Sequence, residues 1–451
     1  MQNWDGKIHY ITKTGQFKIG LLPKVYDMCI EMGIKPKVVD MRQPLPKVSK
    51  VVTNIGKYKL RPEQEKAVKS VINNRVGDTP FHIGVLDYTV NAGKTLIMSS
   101  LYLTYKKQLK TLLITNDSDW LNQAREEFKQ YLPGEDITFV QGKVLNWSNF
   151  TIGMVQSISR NMRFYQKELS QIDMVLVDEA DQGGSKQYQN VITRLFNTRI
   201  RIGLSGTIYM SKLAKDKVKN MNLECFFGKV IAEFKLKDSI KKGYSTKTIV
   251  KMVPGKPWYG NWESDCISYK EIYDDSITEN NTAWTMAYNR LRWNINQGRY
   301  PALVVCKHIA HCENLYKFFK KKLGDAYNIA YVHVNTPSKL RQQIMRDFRE
   351  GKIDILVSTT IIARGKNFPK LRYLLNAASM DSQEKSIQFL GRLVRTDKSK
   401  KKVYLDDLHY PGPYLDRHGK HRKQYYQRQE LKVILLDKLW KKHPNHSLIK
   451  S

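Results

Sequence analysis

The chain has 451 residues, 41% of them hydrophobic, which suits about two or three domains, each with a core of its own. Lys and Arg outnumber Asp and Glu by 76 to 42, a formal charge of +34, so a polyanionic partner is expected, with association that weakens as salt rises and nucleic acid as the favoured class. The scattered cysteines Cys29, Cys225, Cys266, Cys306 and Cys312 form no CxxC pair, and there is no apolar leader and no run of about 18 apolar residues; a zinc site, a disulfide framework, a signal peptide and a membrane partner are not expected, and the cytoplasm is the expected location.

Residues 1–52 read as a small N-terminal α+β module, closed by the Pro/Lys/Val-rich QPLPKVSKVV. KIHYITKTGQFKIG suggests a hairpin with lysines on both arms, LLPKVYDMCIEMG a short helix ending at Gly33, and KPKVVDM a strand. Lys7, Lys13, Lys18, Lys24, Lys35 and Lys37 could lie on duplex phosphates, or the module could simply buttress the neighbouring domain.

Two sets of apolar runs come next in the chain, most joined by connections long enough for helices. The first is FHIGVLDY (81–88), TLLITN (111–116), FTIGMV (150–155), DMVLVDEA (173–180) and RIRIGLSG (199–206). The second is PALVVCK (301–307), IAYVHV (329–334), IDILVST (353–359), LRYLLNAA (371–378) and KKVYLDD (401–407). Such alternation predicts two tandem α/β domains with parallel sheets, over 53–235 and 236–427. The stretch 236–290 has weaker strand signals and reads as the entry into the second domain. KSKKK (398–402) reads as a solvated turn. A basic tail (428–451) closes the chain; the stretch from 421 reads as helical, packed through Leu431, Ile434, Leu435 and Leu439, with added duplex affinity as the alternative.

YTVNAGKT (88–95) sits between a strand and a helical pattern, the context of a phosphate-binding loop. Asn91, Ala92 and Gly93 would offer backbone N–H groups at a helix N-terminus, Lys94 would reach the β/γ-phosphates and Thr95 would ligate Mg²⁺. Tyr88 stands where such loops usually open with glycine. MVLVDEAD (174–181) ends an apolar strand in adjacent carboxylates, which would place Asp178 in the Mg²⁺ shell and Glu179 beside the attacking water. Together they predict an ATPase that uses ATP and Mg²⁺.

GKT followed by an Asp-Glu-Ala-Asp tetrad resembles helicase superfamily two, and the rest of the chain follows that family's motif order. The resemblance implies two tandem RecA-like domains. LRPEQEKAV (60–68) is similar to the adenine element, with Arg61 and Gln64 on the base. SGT (205–207) is similar to the coupling motif, carried by Ser205 and Thr207. STTIIARGKNFP (358–369) is similar to the second domain's nucleotide- and strand-contacting motif, Gly365 included. QFLGRLVR (388–395) is similar to the QxxGRxxR arginine-finger motif, with Gln388, Arg392 and Arg395; Phe389 replaces the arginine some members carry. Two arginines three apart on one helix face could meet the γ-phosphate across a domain cleft.

SGT, NAGKT and LRPEQ are closer to DNA translocases of the excision-repair and restriction type, and to UvsW-type recombination helicases of tailed phages, than to DEAD-box RNA helicases. The phage resemblance reaches GQFKIGLLPKVYDMCIEMGIKPKVVDMR (15–42), YLDDLHY and HGKHRKQYY; the compact length fits a phage protein, for instance of a T-odd siphophage. It implies action on branched DNA by a monomer in the host cytoplasm. Backbone contacts by motif position are Asn116, Ser118, Trp120, Gln156 and Ser157 in the first domain, and Lys307, His308, Asn335, Thr336, Thr359 and Thr360 in the second. Trp120 could stack on a base or lie buried. The alternatives are an RNA helicase of the same superfamily, a DNA-binding scaffold with weak ATPase, and the motor part of a restriction complex.

Overall fold

The computed structural model describes residues 8–105, 108–116, 118–142, 146–208, 214–255, 268–363 and 368–436. The chain divides into two compact units, Met1–Lys235 and Leu236–Ser451.

The first unit is built on strands β1 (Ile83–Tyr88), β2 (Thr111–Thr115), β3 (Ile137–Val140), β4 (Phe150–Met154), β5 (Met174–Asp178), β6 (Ile200–Ser205) and β7 (Val230–Phe234). They lie in the order β7-β1-β6-β5-β2-β4-β3, every neighbouring pair parallel. Met174 to Val177 are wholly buried, as expected of a parallel strand covered on both faces by crossover helices. The N-terminal α1 (Leu22–Glu31) is followed along the chain by α2 (Pro62–Ile72), α3 (Lys94–Thr104), α4 (Ser118–Tyr131) and α5 (Ala214–Phe227), the longest helices of the unit.

The second unit repeats the plan with β8 (Lys247–Pro254), β9 (Ala302–Cys306), β10 (Ile329–Val332), β11 (Ile355–Thr359), β12 (Tyr373–Asn376), β13 (Lys402–His409) and β14 (Val433–Leu435). The order is β10-β11-β9-β12-β13-β8-β14, again all parallel. Its principal helices are α6 (Asn281–Ile295), α7 (Ile309–Leu323), α8 (Gln383–Leu393) and α9 (Leu415–Arg428). Both units are RecA-like.

A buried polar lattice locks the second unit. Neighbouring side chains on a strand point to opposite faces, so Asp406 and Asp407 of β13 serve different helices. Asp406 accepts from Arg290 of α6 at 2.6 and 2.9 Å, and Asp407 from Arg422 of α9 at 2.9 Å. Tyr373, Asn294, Asn376 and Tyr426 supply further donors.

Several expectations need correction. The N-terminal hairpin reduces to one bridge, Ile11 to Phe17, and 35–41 forms no strand. The segment is sewn to the rest of the first unit through one side chain and two carbonyls: Arg42 Nη1 donates to Thr198 O at 2.7 Å, Arg199 Nη1 to Gln43 O at 3.2 Å, and Thr79 Oγ1 to Val38 O at 3.1 Å. Loop carbonyls satisfied by partners on the sheet domain need no ladder of their own. At the far end, the helix expected from 421 is present as the second half of α9 but stops at Arg428, and 433–435 is a strand beside β8; Leu439 lies outside the described residues. Lys400 is no solvated lysine: it is 7% exposed, and its Nζ donates to Leu371 O and Leu393 O at 3.0 Å.

Candidate nucleotide and nucleic-acid sites

In a parallel α/β sheet, ligands gather at the carboxyl ends of the strands. Three neighbouring strands of the first unit end in the three motifs: β1 in YTVNAGKT, β6 in SGT and β5 in DEAD. After Tyr88 the chain turns through Asn91 (φ 69°) and Gly93 (φ 75°) and enters α3 at Lys94. Left-handed backbone suits Gly and is tolerated by Asn. At the head of α3 the Leu96 and Ile97 N–H groups donate back to Gly93 O at 3.0 and 3.3 Å, which leaves those of Lys94 and Thr95 to face an anion held by the loop. A Cβ on Gly93 would lie 2.3 Å from Gln64 Nε2, so only glycine fits there.

Tyr88 fills the place of the absent first glycine. Its ring is buried and its hydroxyl donates to Glu63 O at 2.7 Å. Gln64 makes the second tie: Oε1 accepts the Arg61 N–H and Nε2 donates to Ala92 O, both at 2.8 Å. The amide expected on a base is engaged with the protein's own backbone, and Gln64 is a strut beneath the loop. Arg61 N-caps α2.

Asp178 is buried at the end of β5, and Glu179 takes a left-handed conformation, φ 52°. For a residue other than glycine that costs about 1–3 kcal/mol, and such outliers collect at functional positions. Ser205 Oγ donates to Asp181 Oδ1 at 2.8 Å, while the Thr207 N–H donates to Ser205 Oγ at 3.1 Å. Between them, a Cβ on Gly206 would sit 3.0 Å from Thr89 Cα. The SGT segment therefore touches the base of the loop on one side and the tetrad on the other. An ammonium (Lys94), a helix N-terminus, a hydroxyl (Thr95) and a carboxylate (Asp178) form the hard-oxygen and cationic set that a magnesium nucleoside triphosphate requires.

Asn116 and Gln156 meet at the ends of β2 and β4. Gln156 Nε2 donates to Asn116 O at 3.4 Å, and the Asn116 amide donates to Gln182 Oε1. Ser118 is exposed at the head of α4 and Trp120 is half-buried in its first turn. Ser157 Oγ accepts the Gly142 N–H at 3.0 Å, so it also props a neighbouring turn.

In the second unit Lys307 and His308 follow β9. The Lys307 ammonium lies 3.9 Å from the Tyr269 ring centroid, a cation–π contact. Burial, with Lys385 nearby, lowers its pKa; burial and then Lys307 lower that of His308. Asn335 is exposed, and Thr336 Oγ1 accepts the His333 N–H at 3.0 Å, capping a turn. Thr359 is buried, and Thr360 Oγ1 accepts from Lys385 Nζ at 3.2 Å. Gly365 lies outside the described residues.

Gln388 and Arg392 are half-buried on α8, whereas Arg395 stands two residues beyond its end. The expectation of two arginines on one helix face thus holds for Arg392 only. What fixes the segment past the helix is a run of held carbonyls. Lys400 Nζ donates to Leu393 O, the Thr246 N–H to Val394 O at 2.8 Å, and Thr246 Oγ1 to Arg395 O at 3.1 Å. Thr246 and Lys400 were not legible as site-supporting residues, because neither belongs to a motif and one sits in a charge run.

A family model described as the res subunit of type III restriction enzymes matches residues 57–210, and one for the helicase conserved C-terminal domain matches 287–397. The ATP-dependent DNA helicase uvsW of Enterobacteria phage T4 is 21% identical over 90% of this chain and 82% of its own. A helicase-named protein of Sulfolobus islandicus filamentous virus is 22% identical over 78% of this chain; the match spans 64% of that relative, less than two thirds of its length. The ATP-dependent type ISP restriction-modification enzyme LlaBIII, solved bound to DNA, superposes with a TM-score of 0.61 at 15% identity, covering 85% of this chain and 32% of that one. That likeness is one of fold.

Proposed function

Because the chain belongs to helicase superfamily two, we propose that it is an ATP-driven DNA motor that remodels branched DNA, namely forks, Holliday junctions and displacement loops. The observation that carries the motor reading is the Ser205–Asp181 bond. It ties the segment against the phosphate loop to the tetrad, so a change on the nucleotide can be felt where β6 ends. Lys94 and the α3 N-terminus bind the triphosphate, Thr95 and Asp178 hold Mg²⁺, and Glu179 orients the attacking water and takes its proton. Bound Mg²⁺ neutralises phosphate charge. Arg392 and Arg395 act as arginine fingers of the second unit, with Gln388 beside them.

DNA is favoured over RNA by the SGT, NAGKT and LRPEQ variants of the motifs and by the relative of phage T4, named a DNA helicase. The formal charge of +34 and the small polar groups at the strand ends favour backbone contacts with little base readout. On the N-terminal segment Lys13, Lys35 and Lys37 are exposed and available to duplex phosphates, while Lys24 pairs with Glu224 at 3.0 Å. The test is ATP turnover measured side by side with forked DNA, linear duplex, single strands and RNA. Forked DNA is expected to stimulate most; stimulation by RNA alone would replace this reading with that of an RNA helicase.

A further inference from the structure

We propose that the first unit carries a second binding site, a pocket that takes a carboxylate flanked by an apolar side chain from an acidic peptide segment, with Arg201 at its base. Arg201 is the second residue of β6, at the amino end of the strand whose carboxyl end carries Ser205. It lines a cavity of about 250 Å³ with Phe17, Lys18, Ile19, Arg42 and Phe226.

Arg201 is buried, with 7% of the residue exposed. Its Nη1 donates to Phe226 O at a long 3.3 Å, and its buried Nε has no hydrogen-bond partner. Among the described residues no carboxylate pairs with it; the charged group acting on it is Arg42, a second guanidinium. Arg42 in turn is bound by Asp40 at 2.6 Å, which leaves Arg201 and Lys18 as the uncompensated charges of the cavity. Burial and then Arg42 lower the Arg201 pKa to about 10. A buried cation without a counter-ion is costly, and a guanidinium fork matches a carboxylate in two parallel bonds.

The walls decide between anions. Phe17, Ile19 and Phe226, with the 68% exposed Phe196 also lining the cavity, suit an apolar side chain beside the carboxylate. A hydrated phosphodiester gains nothing from such walls, and the pocket lies at the amino edge of the sheet, away from the nucleotide motifs. Small-molecule pockets run from about 300 to 1,000 Å³, so this one is nearer the size of a side chain.

The probe is a fluorescein-labelled peptide, Asp-Asp-Asp-Leu-Phe, titrated with the full chain and followed by anisotropy. Binding should weaken at least about tenfold in Arg201→Met and several-fold in the rim variant Phe196→Ser. An all-Asn version of the peptide should bind poorly, saturating duplex DNA should not displace the probe, and DNA-stimulated ATP turnover of Arg201→Met should be unchanged. Arg201→Met should melt no lower than wild type, since it replaces an unpaired buried charge with an apolar chain. Absence of peptide binding, equal affinity in Arg201→Met, displacement by duplex, or a clear loss of melting temperature in Arg201→Met would each overturn the proposal; the last would make the guanidinium a structural group.

Discussion

Ser205 and Asp181 are joined by a 2.8 Å hydrogen bond between buried side chains on neighbouring strand ends. Removing the hydroxyl leaves Asp178 and Glu179, the carboxylates proposed to act on Mg²⁺ and water, in place but cuts the link to the SGT segment. Ser205→Ala is expected to keep basal ATP turnover within about threefold and lose nucleic-acid stimulation and strand displacement by about tenfold or more. Equal loss of basal and stimulated turnover would make the bond part of the chemistry instead.

Tyr88 occupies the position of the usual first glycine of such a loop and is held there by its bond to the Glu63 carbonyl. Tyr88→Phe removes the bond to the Glu63 carbonyl and should cost about 1–2 kcal/mol of stability in a urea titration, with ATP turnover little changed. Restoring the glycine should not improve the enzyme. Tyr88→Gly empties a buried site in the core and is expected to cost at least about 3–5 kcal/mol.

Lys400 reaches the Leu393 carbonyl just after Arg392, and Thr246 holds the next two carbonyls up to Arg395. Lys400→Met should lower kcat for ATP about tenfold with KM within about threefold, as expected when transition-state groups are misplaced. Burial first, then Arg372 and Arg395 against the opposing pull of Asp397, bring the Lys400 pKa down to about 8 from 10.5. The unfolded chain then binds more protons between those values, so this lysine makes wild type gain stability as pH rises from about 8 towards 10.5. The stability of wild type relative to Lys400→Met, read from melting curves, should rise across that range.

The lattice around Asp407 is structural, not catalytic, although paired acids invite the other reading. Both Asp407 and Arg422 are fully buried. Asp407→Asn leaves the guanidinium without its charge partner and should cost about 3–5 kcal/mol. In Asp407→Asn protein that remains folded at low temperature, ATP affinity should be unchanged.

Ten of the strands were legible as short apolar runs, most of them buried along nearly their whole length; β10 was legible although it is an edge strand, because IAYVHV is still an apolar run. The exceptions have physical causes. β3 and β7 are short edge strands whose residues are partly exposed. β8 alternates Lys with apolar residues (KTIVKMVP), yet it lies inside the sheet between β13 and β14. β14 read as helix because Leu431, Ile434 and Leu435 share the helical spacing, and a three-residue strand has too little period to compete. The motifs of the candidate nucleotide site stand out in the sequence because the chemistry proposed for them demands fixed residue types. The struts under them, Tyr88, Gln64, Thr246 and Lys400, work through backbone carbonyls that no sequence pattern marks. The same holds for Arg201, whose lack of a counter-ion shows only in three dimensions.

The central claim, an ATP-driven motor on branched DNA, is tested most directly on a synthetic Holliday junction with labelled arms, incubated with Mg²⁺ and ATP. Wild type should convert the junction to forked products only when ATP is hydrolysed. Glu179→Gln and Arg392→Ala should bind the junction with near-normal affinity and convert none of it. Conversion without ATP, conversion at the wild-type rate by both variants, or no conversion by a wild type that hydrolyses ATP on RNA would contradict the account.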